Sequence, residues 1–177
     1  RRQRQMCIRD SKEAEIAKSG KKAHIIAKMN ALLDADVIRA LYDASNAGVQ
    51  IDLLVRGVCA LKPGISGVSE NIRVRSIVGR FLEHTRIFYF HHHGEHHLYL
   101  SSADWMYRNF FKRIEVCFPI LDPKVKRRVI KEGLEIYLKD NLNAWEMSSA
   151  GTYHLRPKRG MPLSAQQSLM ETFAHDI

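Results

Sequence analysis

The chain has 177 residues, 45% of them hydrophobic, with 28 Lys plus Arg against 19 Asp plus Glu and a formal net charge of +9. That length suits one domain with its own core, residues 1–177, and the charge favours polyanionic partners: nucleotide, polyphosphate, nucleic acid or an anionic membrane surface. No run approaches the roughly 20 apolar residues needed to span a bilayer, and no apolar signal core follows the opening RRQRQ. Residues 2 to 19 carry helical periodicity and stop at Gly20, and AHIIAKM (23–29) has strand length. Asp34 is placed to cap a helix that turns Val37, Ile38, Leu41 and Tyr42 to one side and ends at Gly48. QIDLLVRG (50–57) then reads as a second strand, and strand, helix, strand with short links predicts a parallel pair in an α/β sheet.

LKPGISGVSE (61–70) is turn-rich and expected at the surface, and IRVRSI is a short strand. Residues 86–90 and 98–102 read as a hairpin with HHHGEHH as its tip, and RIEVCFPI as one more strand. Pro123 opens a helix in which Val125, Val129, Ile130, Leu134, Ile136 and Leu138 face inward, and a terminal helix begins near Ser164. The expected fold is a mixed β-sheet flanked by helices. The missing initial Met and the helix-like opening suggest a piece of a longer protein. Cys7, Cys59 and Cys117 are odd in number and lack CxxC spacing, so neither a disulfide framework nor a zinc site is indicated, and a reducing cytoplasm is the simplest location.

Basic excess is uneven, with nine basic and three acidic groups in residues 1–30, and five and two in residues 61–90. The second block surrounds His84 and Arg86. In an extended chain these two share a side, and a histidine beside a guanidinium suits phosphoryl chemistry: the imidazole handles a proton or attacks phosphorus while the cation balances the oxygens. The alternative is a histidine satisfied near a strand end beside a solvated arginine. Arg56 closes an apolar strand, where ligands collect in open α/β sheets, and SSAD (101–104) closes another, with Arg108 and Arg113 soon after. HHHGEHH is read as an exposed hairpin tip rather than a metal site. Trp105, Tyr107, Phe110 and Phe111 are read as core or domain contacts rather than base-stacking platforms.

KMNALLD, LYDASNAGVQIDLLVRGVCAL, VSENIRVRSIVGRFLEHTRIF, YLSSADWMYRN, RIEV and PILDP, with AW and SAQ in the tail, resemble the C-terminal domain of the bacterial polyphosphate kinases of the phospholipase D superfamily. The likeness runs from about Lys28 to Leu155. It implies a phospholipase D-like domain of an enzyme that reversibly moves the terminal phosphate of ATP to inorganic polyphosphate. It also implies that Arg56 contacts nucleotide or polyphosphate, and that His84 is the second of two active-site histidines. Arg86 would replace the lysine of the HxK pattern, and Arg108 and Arg113 would line the polyphosphate path. SSAD resembles the superfamily's GSxN segment with Asp104 for Asn, and no Asp stands five residues after Arg86. Those departures point away from a phosphodiesterase.

The resemblance places the phosphorylated histidine and the Mg2+ ligands in preceding domains, so no metal site is expected here. This chain would supply half a site and be inactive alone. ATP and ADP are the expected substrates, and the preceding domains and further copies of the full protein the expected partners. Nucleic acid is not expected. The expected location is the cytoplasm, with peripheral attachment at the inner membrane surface. The competing readings are a homodimeric phosphodiesterase or nuclease, and a non-catalytic polyanion-binding module.

Overall fold

In the computed structural model, which describes residues 23–92, 94–158 and 160–174, eight strands form one sheet in the order β6-β5-β4-β1-β2-β3-β7-β8. Strands β1 (His24–Met29), β2 (Gln50–Val55) and β3 (Ile72–Ile77) are successive parallel neighbours. β4 (Ile87–His92) runs antiparallel to β1, β5 (Glu95–Ser101) to β4 and β6 (Cys117–Pro119) to β5. Beyond β3, the antiparallel strands β7 (Ala144–Met147) and β8 (Tyr153–Leu155) complete the sheet. The expected mixed sheet flanked by helices is therefore the observed architecture. The helix expected over residues 2–19 and Cys7 lie outside the described residues.

Helix α1 (Ala35–Asn46) makes the crossover between β1 and β2. The Asp34 carboxylate accepts the Val37 N–H at 3.1 Å, a cap worth about 1 kcal/mol, and Gly48 takes φ 93° just past the far end, a conformation that suits a residue without Cβ. Val37, Leu41 and Ala44 pack on Ile25, Ala27, Met29, Ile51, Leu53 and Val55, alternate residues of β1 and β2. Burying each Val or Leu of this layer contributes roughly 1.5–3 kcal/mol. The opposite sheet surface carries a second core, with Ile26, Leu54, Ile77, Ile87, Tyr89 and Leu98 beneath Leu134, Tyr137 and Ala165.

Several local expectations are corrected. The helix expected from Pro123 is α3 (Pro123–Ile130), a π-helical turn at Lys131–Glu135, and α4 (Ile136–Lys139). The wider turn re-phases the buried side, so Tyr137 joins Leu134 inside while Val125 is left 49% exposed. Gly133 permits the close approach: a Cβ there would lie 2.5 Å from Ile87 Cδ1. RIEVCFPI contributes only three paired residues, because Glu115 turns inward to Ser102 and Asn109, and Ile114 is 99% exposed. HHHGEHH does form the tip of the expected hairpin, but the strands run further into it than expected. The ladder continues to His92 and Glu95, so His91 and His92 belong to β4 and His96 and His97 to β5, with the His91 and His96 rings stacked at 4.7 Å.

Of the four aromatic residues expected in core or domain contacts, Trp105 is fully buried and Phe110 packs at the core edge. Tyr107 and Phe111, on the short helix α2 (Tyr107–Phe111), are mostly exposed and contact each other. β7 and β8 were not anticipated, being too short to display a period. Among the described residues no helix is long and apolar enough to cross a membrane.

Candidate functional site

With β1, β2 and β3 parallel and their neighbours reversed, one rim of the sheet collects the C-terminal ends of β1, β2, β3 and β5 and the N-terminal ends of β4 and β6. The five residues expected to meet ATP or polyphosphate all attach to this rim, whereas the histidine run lies at the opposite end of β4 and β5. Arg56 follows β2, His84 and Arg86 precede β4, and Arg108 and Arg113 lie between β5 and β6. Strand spacing of about 4.8 Å puts the ends of β2 and β4 roughly 10 Å apart, with β1 between them.

Asn30, the first residue past β1, ties this rim together. Its Oδ1 accepts from Arg56 Nε at 2.8 Å, while its Nδ2 and backbone N–H donate to Asp104 Oδ1 at 3.0 and 2.7 Å. Arg86 completes the chain of contacts by donating to Asp104 from Nε at 3.2 Å and from Nη2 at 3.1 Å. Asp104 is only 5% exposed. Burial would raise its pKa, but Arg86 and the Asn30 N–H outweigh that and hold the carboxyl below its usual range. Gly57 keeps the crossing close, since a Cβ there would stand 2.8 Å from the Asn30 carbonyl oxygen.

Arg86 does not face the rim as a free cation. Residues 82–86 lie outside any strand, and the Arg86 guanidinium is bound to Asp104, with Nη1 donating to the His84 carbonyl at 3.2 Å. Arg86 thus steadies the backbone that carries the histidine. His84 is exposed, and its imidazole forms no hydrogen bond among the described residues. Half-buried Arg56 spends only Nε on Asn30, leaving its terminal amino groups without a hydrogen bond among those residues. Arg108 and Arg113 are exposed, and the segment holding them is fastened by Glu115. That carboxylate accepts from Ser102 and from Asn109 Nδ2, and the Ser102 hydroxyl is the main cause of its lowered pKa.

Residues 2–167 match the family model described as polyphosphate kinase C-terminal domain 2. The chain belongs to that family. A polyphosphate kinase of Burkholderia multivorans is 61% identical over 161 residues, covering 91% of this chain and 23% of the relative. The chain thus spans about a quarter of the length of the curated relatives it matches. The crystal structure of polyphosphate kinase from Porphyromonas gingivalis superimposes with a TM-score of 0.92 at 40% identity, over 98% of this chain and 26% of that one. A looser likeness, TM-score 0.46 at 14% identity over 68% of this chain and 81% of the other, is to Nuc from Salmonella typhimurium, a phospholipase D family member.

Within this polyphosphate kinase domain, two site residues escaped sequence reasoning. Asn30 lies inside KMNALLD with no signal of a role, and Asp104 is legible only as the end of the strand-closing SSAD and as a departure from GSxN. The available signal was positional, a polar side chain directly after a buried strand. Their contact joins residues 74 positions apart, and local spacing carries no trace of it.

Proposed function

We propose that residues 1–177 form a single domain, and that it serves an enzyme transferring the terminal phosphate of ATP to inorganic polyphosphate and back. One sheet backed by two cores supports the first statement. Family membership, together with an imidazole and a guanidinium fork left unbonded on one rim, supports the second. In the forward direction a phosphoryl group leaves ATP as its bond to the β-phosphate oxygen breaks and ends on the terminal oxygen of polyphosphate, releasing ADP. His84 is the proton-handling or nucleotide-contacting partner, and general acid–base help of this kind contributes about 10²–10⁴-fold. Arg56 meets phosphate oxygens with its fork, Arg108 and Arg113 draw the polyanion along the rim, and Arg86 acts mainly by holding the His84 backbone.

These residues do not fit a magnesium site. The neighbouring carboxylates Glu83, Asp104 and Glu115 are engaged by Lys28, Arg86 and Ser102. The remaining parts of the site belong to preceding domains of the full-length protein, which we place in the cytoplasm, peripheral to the membrane and oligomeric.

Two measurements test this reading. The purified 177-residue chain, given ATP and a polyphosphate primer, is expected to release no ADP and lengthen no primer; ATP-dependent growth would overturn the half-site assignment. In the full-length protein Arg56→Lys keeps the charge but loses the fork and the Nε contact to Asn30, so KM for ATP is expected to rise roughly tenfold. An unchanged KM would make Arg56 a surface cation.

A further inference from the structure

His84 sits on residues 78–86, a connection with no strand or helix of its own, so something outside it must fix where the imidazole points. The next residue inward is Glu83. Its carboxylate turns down to the sheet, where Lys28 Nζ donates to Oε2 at 2.7 Å and Gln166 Nε2 donates to Oε1 at 2.7 Å. Lys28 is a β1 residue only 4% exposed, with its ammonium 3.3 Å from the centroid of the Tyr137 ring. Burial lowers the Lys28 pKa, opposed by Glu83, and burial followed by the Glu83 carboxylate raises that of the Tyr137 phenol. Gln166, near the start of α5 (Ala165–Ala174), also brackets Phe81: Nε2 donates to its carbonyl at 2.8 Å and Oε1 accepts its N–H at 2.9 Å. Gly79 leaves the room this amide occupies, since a Cβ there would collide with the Gln166 side chain.

The start of α5 is itself held. Fully buried Asp140 accepts the Ala165 N–H on Oδ2 at 2.8 Å and those of Leu142 and Asn143 on Oδ1. Three elements distant in sequence, β1, the helix carrying Tyr137 and α5, therefore converge on one carboxylate beside His84. A buried ion pair returns little net stability over an apolar pair of the same volume, but it admits few geometries.

We infer that Glu83, clamped by Lys28 and Gln166, is a positioning residue that aims the His84 imidazole; this rests on the reading of His84 above as the proton-handling group. Displacing a reacting group by an ångström costs up to a hundredfold in rate while leaving the remaining substrate contacts in place. In the full-length protein, Gln166→Ala and Glu83→Gln are each expected to lower kcat about tenfold or more, with KM for ATP within about twofold. Gln166→Glu, similar in shape but facing Glu83 with a like charge, is expected to be worse than Gln166→Ala. Gln166→Ala removes no charge and guards against misfolding, which thermal unfolding of each variant monitors.

The decisive comparison is with His84→Ala. If the clamp acts through the histidine, adding Gln166→Ala to His84→Ala costs no further turnover. Losses that multiply, or a change confined to KM, would overturn the clamp while leaving the role of His84 intact. Full turnover in His84→Ala alone would instead overturn the reading of His84, and the clamp's purpose with it.

Discussion

Replacing His84 with alanine in the full-length protein is expected to lower kcat by about 10²–10⁴-fold, the range for loss of a positioned acid or base, with the thermal midpoint unchanged. The two expectations share one origin. The imidazole is exposed and forms no hydrogen bond among the described residues, so its removal opens no cavity and strands no buried partner. A structural histidine would behave oppositely, giving lower stability and activity in step. Steady-state ADP release beside calorimetry of the same variant distinguishes the two, and retained turnover would remove His84 from the reaction.

Asp104→Ala carries the largest expected effect on stability, a loss of about 3 kcal/mol, because it strands the Arg86 guanidinium and two Asn30 donors in a buried setting. Turnover should fall as well, since Arg86 also holds the His84 carbonyl. Asp104→Asn, which retains an acceptor but not the charge, is expected to lose less. The pH dependence follows from the direction of the Asp104 shift. Its folded pKa lies below the ordinary value of 3.8, so the folded protein binds this proton less readily than the unfolded chain does. The stabilisation is fully present above about pH 4 and is lost as pH falls through the lowered folded value. Denaturant unfolding between about pH 5 and pH 2 should thus show a smaller acid-dependent loss in Asp104→Asn than in the parent protein; equal slopes would show that Asp104 contributes none of it.

Local physics made much of the scaffold readable. AHIIAKM and QIDLLV are apolar because both surfaces of a central strand are covered, and Asp34 and Gly48 mark the helix between them because an orphan N–H needs an acceptor and a terminating turn favours glycine. The same reasoning puts Arg56 at a strand end and singles out His84 beside Arg86, and the resemblance adds the expected role of His84. The histidine run marks the hairpin turn but hides where the strands end, because a glycine among polar residues is a turn signal whether the ladder stops before it or runs up to it. β7 and β8 show the limit from the other side, since three or four residues are too few to establish an alternation.

By itself the sequence determined the class of fold, the family and the rim on which the cations collect, since each depends on neighbours a few positions apart. The partners of those cations were decided by tertiary structure alone. Asn30 with Asp104, Lys28 with Glu83 and Gln166 with Glu83 are contacts across 74, 55 and 83 positions, made only when parallel strands and the last helix bring their ends together. Charge and hydrogen-bonding capacity are written in each residue, but whether a guanidinium faces a ligand or a carboxylate depends on what else is folded within about 3 Å of it.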